Sequence, residues 1–332
     1  YAGDVYDLMY GGDGDDYLDT GAGGGIVHCG EGDDQVAWAV GDATVTVYGQ
    51  VPTPSPNSQD RGMDAVGIAG TLDEDTFTIV DMANIVGSDE TDHIVRVWHA
   101  ESDSGVYLVQ VEEVSIEGRL AADSFVVNDL NQTLVRDVGI NLGDVINPDN
   151  NAEDTTLIRG SDADDGFAVL LEEATLRVEG PYGGITGFHA PRYAVHVANE
   201  ADDVTLETYG GQDVILAAGI SGPTLIDAGG GDDLLASAAS VAPTTIALGH
   251  SAYFAPLMVE AGTGANAIWF GVDGAPEVMQ ETVWLTKTSL TAEKLVPLGV
   301  HFTATGGDFT NSVQLATGDA DDTVYVSETF AG

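Results

Sequence analysis

Residues 11–19 read GGDGDDYLD, and a nine-residue spacing runs through and beyond them. Glycines fall at Gly14, Gly23, Gly32 and Gly41, with apolar residues in step at Met9, Leu18, Val27, Val36 and Val45. Carboxylates hold the slot between them at Asp7, Asp16 and Asp34, while Gly25 breaks the series. A fixed short period of this kind signals stacked turns rather than a globular core, because each unit buries its apolar residue only against its neighbours. Glycine tolerates the positive φ of a tight turn, and the apolar residue anchors a very short strand. The acid then lies beside turn carbonyls, and a donor set made of oxygens suits a hard cation such as Ca²⁺.

The string resembles the hemolysin-type calcium-binding repeat of RTX proteins, G-G-x-G-x-D-x-U-x. Gly11, Gly12, Gly14, Asp16 and Leu18 fit the pattern in full. Gly30, Gly32, Asp34 and Val36 fit with Cys29 in the first slot, and Gly229, Gly231, Asp233 and Leu235 fit with Ala228 there. Gly262, Gly264, Asn266 and Ile268 fit with an amide in place of the acid. The resemblance is local, strongest over residues 7–45 and 228–236. It implies a parallel β-roll in which two nonapeptides make one turn and calcium sits between stacked turns. Turn carbonyls and acids from successive turns would hold the ion.

On that expectation Gly12, Gly14, Asp16, Gly30, Gly32 and Asp34 form the first calcium site. Asp16 and Asp34 lie 18 residues apart, so a turn of two nonapeptides places one above the other. On the other side Asp7 would stack over Gly25, which offers no second carboxylate. Gly229, Gly231 and Asp233 have the right loop, but no acid follows in phase at nine or 18 residues. Asp213 would join Asp233 only if the turn there is shorter. At Asn266 a metal-free turn is expected. Asp165 in GSDADDGF and Asp322 in GDADDTV are further candidates that lack the second glycine.

Charge agrees with cation binding. The chain carries 55 acids against nine Lys plus Arg, a formal charge of −46. Such a surface repels nucleic acid and anionic membranes, and no apolar run approaches the roughly 18–20 residues of a membrane-spanning helix. Yet 43% of residues are hydrophobic, so the chain can bury a core. A solvated acidic surface of the halophile type is the competing explanation. Recurrence of the acids at one slot of a repeat favours binding. Cys29, the only cysteine, permits no intrachain disulfide and is expected to be a partly buried structural thiol. The opening YAGDVYD has neither an initiator Met nor an apolar leader, which suggests a processed product or part of a longer chain.

A looser motif runs further: apolar, any, small, four more, Asp, any, apolar. It appears at Met9/Gly11/Asp16/Leu18, Val27/Cys29/Asp34/Val36, Ile68/Gly70/Asp75/Phe77, Ile85/Gly87/Asp92/Ile94 and Ile116/Gly118/Asp123/Phe125. It returns at Ile158/Gly160/Asp165/Phe167, Ile226/Ala228/Asp233/Leu235, Val259/Ala261/Asn266/Ile268 and Leu315/Thr317/Asp322/Val324. Each copy reads as a strand end, a polar turn and the next inward residue. Strands are predicted at 76–80, 94–98, 106–111 and 124–127, and one short helix at 290–295. The Pro- and Ser-rich stretch 51–61 reads as a loop.

The predicted fold is all-β, an elongated parallel β-roll or β-helix-like solenoid with inserted loops. Its expected parts are a nonapeptide roll at 1–50, an irregular solenoid at 51–240 and a further β-rich segment at 241–332. Enzyme signatures are scarce: the seven histidines show no HExxH spacing, and phosphate-cradling loops are absent. The expected role is structural, a calcium-stabilised extracellular or cell-surface segment of a filament, surface layer or adhesin from a bacterium. The alternative is a solenoid that carries a carbohydrate-active enzyme or a carbohydrate-binding module. Expected partners are calcium ions and other copies stacked end to end, or flanking repeats of a longer chain.

Overall fold

The computed structural model describes residues 6–49, 62–83, 93–143, 152–172, 175–180, 192–198, 203–218, 224–231, 233–238, 257–261, 265–271, 282–293, 296–304, 308–316 and 321–327. Every named element among them is a β-strand. The chain divides into two compact units, residues 1–156 with 193–199, and residues 157–192 with 200–332. The predicted loop at 51–61, the motif copy at 85–92 and the glycines Gly262 and Gly264 lie outside the described residues.

In the first unit one sheet runs, strand beside strand, Asp7–Asp13, Gly25–Glu31, Val45–Tyr48, Ser104–Val109, Val95–His99, Thr76–Asp81, Ser124–Val127. The other runs Tyr17–Asp19, Gln35–Ala39, Ala65–Ala69, Glu113–Glu117, Asp137–Asn141, Tyr193–Ala198. The chain alternates between the two sheets, so sequential rungs within a sheet pair in parallel: Met9 lies on Val27 and Leu18 on Val36. The 18-residue register expected from the nonapeptides therefore holds through the first two rungs. Inward residues such as Val27, Val36, Val47, Val66 and Ile68 are buried while their neighbours are not, the period-2 alternation of a strand with one covered face. The looser motif superposes too, with Ile68 on Ile116 and Phe77 on Phe125. The two phenylalanine rings stack at 5.7 Å.

The wide spacing in mid-chain has a specific cause. After Ala65–Ala69 the chain does not take the place beside Val45–Tyr48. It lands three strands away at Thr76–Asp81, returns antiparallel through Val95–His99, and fills the gap with Ser104–Val109. Only then does it resume, with Ser124–Val127 parallel to Thr76–Asp81.

The second unit is built alike. One sheet there runs Asp203–Glu207, Thr224–Asp227, Leu257–Glu260, Val296–Thr303, Ser289–Ala292, Thr282–Leu285, Thr323–Val326. The other runs Thr175–Gly180, Gly166–Glu172, Val214–Ala218, Leu234–Ala238, Ala265–Gly271, Asp308–Ala316. Thr282–Leu285, Ser289–Ala292 and Val296–Thr303 repeat the forward jump and antiparallel return. This corrects the helix expected at 290–295, because Leu290 lies in the middle leg, paired with Leu285 on one side and Val300 on the other. Over 290–292 the helix expectation is overridden by strand pairing on both sides, and residues 294–295 lie outside the described residues.

Candidate metal centre

The motif acids gather into rows. In the first unit the amide of Asp16 donates to Asp34 Oδ1 (2.8 Å), that of Asp34 to Asp64 Oδ1 (3.2 Å), and that of Asp64 to Glu112 Oε2 (3.1 Å). At another turn the Asp75 amide donates to Asp123 Oδ1 (2.8 Å) and the Asp123 amide to Asp154 Oδ1 (2.6 Å). In the second unit Asp165 donates to Asp213 (2.8 Å), Asp213 to Asp233 (2.9 Å) and Asp233 to the Asn266 amide oxygen (3.0 Å). Each carboxylate thus reaches back under the preceding rung and satisfies the backbone amide at the strand entrance. Asp34, Asp64, Asp75, Asp123, Asp154, Asp165, Asp213, Asp233 and Asn266 are all buried.

The small slot of the motif follows from this geometry. A Cβ placed on Gly70 or Gly160 would come within 2.6 or 2.7 Å of the carboxylate Oδ2 of Asp75 or Asp165. On Gly11 it would come within 3.1 Å of Asp16 Oδ2, and on Gly49 within 2.6 Å of Asp64 Oδ2. The acid therefore folds beneath the residue five positions earlier in a regular copy, which crowds any side chain at Gly70 or Gly160, while Cys29 and Ala228 show that some copies admit a small one. The turn glycines Gly12, Gly14, Gly30, Gly32, Gly229 and Gly231 all have positive φ, between 72° and 151°, which explains why the motif demands glycine at those slots.

A second, exposed row runs beside the buried one. Asp15 Oδ1 accepts from the Asp33 amide (3.0 Å), Asp33 Oδ1 from the Met63 amide (2.8 Å) and Asp164 Oδ1 from the Gln212 amide (2.8 Å). These carboxylates reach forward to the next rung while the buried ones reach back. Oxygen is thereby concentrated in the gap between rungs.

Burial without a counter-charge shifts these acids upward. Asp64, Asp123 and Asp213 are each raised to about 7, with burial the largest cause and neighbouring carboxylates adding to it. Asp34 and Glu112 move in the same direction, again chiefly through burial. Arg136 opposes the shift at Glu112, and its amide donates to the Glu112 carbonyl at 2.7 Å. Burial also raises Cys29, with Asp64, Asp34 and Glu112 reinforcing it, so this thiol is a weak nucleophile. Asp34 Oδ2 and Asp123 Oδ2 are buried with no hydrogen-bond partner. Carboxylate oxygens in such surroundings need either a proton or a cation.

The sequence-derived site residues fall into place unevenly. Asp16 and Asp34 stack as expected, and Asp7 lies over Gly25. Asp213 and Asp233 do meet, but across 20 residues, so the rung there is longer than a nonapeptide pair, not shorter. Asn266 continues the row, its amide oxygen accepting from the Asp233 backbone amide. Asp165 stands in the row with Asp213, whereas Asp322 is half-buried at the entrance to Thr323–Val326. The reading from sequence missed Asp64, Glu112 and Asp154. The motif at Val47 and Gly49 is separated from its own Asp64 and Val66 by the inserted stretch, a split visible only when both halves are joined.

Gly25 also bears on the slot beside Asp7 where the repeat would carry a second acid. A Cβ at this position would run into the Asp7 carbonyl. Gly25→Asp, which restores the repeat's acid on paper, is therefore expected to lower the melting temperature without adding a binding event. Calorimetry showing an extra calcium with unchanged stability would overturn that.

His99, which as a strand-flanking histidine is expected from sequence to be solvated or at an edge, is instead buried. Its Nε2 meets Asp75 Oδ1 at 2.9 Å, and its Nδ1 lies 3.1 Å from the Ser102 amide and 2.8 Å from Ser102 Oγ. The amide can only donate, so Nδ1 is the acceptor and Nε2 carries the proton toward Asp75. Although Ser, His and Asp are the groups of a hydrolytic triad, the imidazole lone pair here already receives a backbone amide three residues on. The arrangement closes the hairpin turn and gives Asp75 a partner that Asp34 and Asp123 lack.

The outer face of the first unit's second sheet holds a shallow groove of about 540 Å³. Ala37, Gly67 and Ser115 line it together with Asp19, Asp42, Glu113 and Glu117. Among the described residues no helix is long and apolar enough to cross a membrane. No family model matches the chain, and no curated protein is significantly similar to it.

Proposed function

We propose that the chain is a calcium-stabilised structural β-solenoid, an extracellular or cell-surface segment of the RTX type. The observation that supports this best is the row of buried acids, one per rung, in which Asp34 and Asp123 keep an unpartnered oxygen. Asp16, Asp34, Asp64 and Glu112 would hold cations along one turn and Asp75, Asp123 and Asp154 along another. Asp165, Asp213 and Asp233 would do so in the second unit. Ca²⁺ takes six to eight oxygens with flexible geometry, which suits carboxylates that each already give one oxygen to a backbone amide. The ion supplies charge neutralisation and cross-linking of rungs, and no catalytic step is assigned to it.

The test is a pair of variants, Asp16→Ala and Asp34→Ala, titrated with calcium after removal of bound metal. Each is expected to weaken binding at the first site by tenfold or more. The double variant should lose little beyond the stronger single one, because the two residues share one ion. Independent, additive losses would assign the acids to separate sites and break the reading.

Association through sheet edges belongs to the same proposal. Asp7–Asp13 is an edge strand whose inward Met9 is only half-buried, while its partner Val27 is fully buried. Thr323–Val326, at another edge, is exposed along its whole length. Further rungs, from a second copy or from more of the same chain, would cover these residues. Calcium would favour this by reducing the repulsion set by a charge of −46. Sedimentation is expected to show calcium-dependent, concentration-dependent assembly, and a strict monomer at high concentration in calcium would refute it. The groove beside Glu113 and Glu117 favours a second reading, a polar carbohydrate ligand on the outer face. Oligosaccharide binding lost in Glu113→Ala and Glu117→Ala would support that alternative.

A further inference from the structure

We infer that Cys29, Asp34 and Asp64 form a site for a borderline divalent cation of the zinc class. All three residues are buried, and one ligand atom from each lies within 4.8 Å of the others. Cys29 occupies the slot that is glycine in most copies of the motif, and there the slot faces the carboxylate beneath it. The Gly70 and Gly160 positions look onto Asp75 and Asp165. In the same relation the Cys29 thiol faces Asp34. One oxygen of Asp34 is taken by the Asp16 amide, and the other is buried without a partner. That orphaned oxygen is an independent sign that something is needed between the thiol and the two acids.

The donor chemistry selects the ion. Calcium takes oxygen ligands and avoids sulfur. Zinc accepts a thiolate at about 2.3 Å and carboxylates at about 2.0–2.2 Å, and it commonly uses three protein ligands with water in the fourth position. Those bond lengths set donor atoms roughly 3.5 Å apart in a tetrahedron, so side chains whose ligand atoms lie within 4.8 Å need close inward by roughly 1.3 Å at most. On binding, the thiol proton leaves to solvent and the thiolate with two carboxylates balances the ion to a net single negative charge. Replacing the repeat's glycine by cysteine thus adds a sulfur donor to the acid row at this rung, where Asp34 and Asp64 serve either calcium or the zinc-class ion, one at a time.

Cobalt is the probe, since a thiolate bound to Co²⁺ gives a charge-transfer band in the near ultraviolet. Metal-free protein is expected to take up one thiolate-bound Co²⁺ per chain, with the band abolished by a stoichiometric amount of Zn²⁺. Cys29→Ser should lose the band and bind zinc at least tenfold more weakly in a chelator competition, and Asp64→Asn should also weaken zinc. A wild-type protein that shows no thiolate band in millimolar cobalt overturns the site without recourse to any variant. Equal zinc affinity in wild type and Cys29→Ser overturns it as well. The calcium reading is judged separately, by calcium's effect on melting. A cobalt band without calcium-dependent melting retains this site alone, and the reverse result removes it alone.

Discussion

Removal of calcium at mildly alkaline pH is expected to lower the melting temperature by about 10 °C, with full recovery on return to millimolar calcium. Extracellular calcium modules bind with Kd on the order of 10⁻⁴–10⁻³ M. At about ten times Kd, which is millimolar calcium, each site that exists only in the folded state adds about 1.4 kcal/mol. Folding units of this size shift by roughly 2–4 °C per kcal/mol, so even two weak sites in one unit reach the expected change. The rows make loss of the ion costly for a second reason. Asp34, Asp64 and Glu112 crowd within one run of rungs, and Arg136 opposes the crowding at Glu112. Scanning calorimetry with a calcium-selective chelator and calcium add-back measures the effect. A transition that does not move would remove calcium as a folding ligand.

In the metal-free protein, stability is expected to fall as pH rises from about 4 to about 7, and to level off above that. An unfolded aspartate titrates near 3.9, whereas Asp64, Asp123 and Asp213 titrate at about 7 in the fold. Between those values the folded state binds more protons than the unfolded state, so each increment of pH destabilises it. Every tenfold gain in proton affinity on folding corresponds to about 1.4 kcal/mol, and three such acids together reach several kcal/mol. Calcium should reverse the slope, because its ligands must shed their protons and binding strengthens with pH. Denaturant melts across pH, with chelator and with calcium, give the two curves. A metal-free protein equally stable across this range would mean that the rows are relieved by some other group. Asp64→Asn should flatten part of the slope, since the amide keeps the acceptor for the Asp34 amide and loses the titration.

Much of the first unit's architecture could be read directly where the chain runs without insertion. Asp16 and Asp34 are one rung apart at 18 residues, and both the register and the stacking follow from that number. Asp64 and Glu112 escaped because the same row then steps by 30 and by 48 residues. The step of 48 residues recurs from Asp75 to Asp123 and from Asp165 to Asp213. A search at multiples of nine is blind to it. Asp213 and Asp233 missed each other by two residues, an offset absorbed in a turn that keeps its positive-φ glycines Gly229 and Gly231. The looser motif fared better, because its small slot and its acid are linked by a local collision that no distant insertion changes. His99 was opaque for the opposite reason, as its partner Asp75 lies 24 residues away across a hairpin pairing that carries no short-range signature.

The forward jumps also constrain how the molecule can be made. In a stack whose strands are laid down in order, each new strand finds its template already in place, and assembly can spread from one end like a zipper. Here Thr76–Asp81 is synthesised before both strands that will separate it from Val45–Tyr48. A nascent chain that stops before Ser104–Val109 has no continuous sheet to extend, so docking must wait for the whole excursion and closes a long loop when it happens. The excursion through Thr282–Leu285 and back to Val296–Thr303 imposes the same delay in the second unit. Deleting residues at such a point does not shorten the stack by one step, as it would in a simple repeat array. It leaves a hole in the middle, and the flanking strands lose their neighbours together.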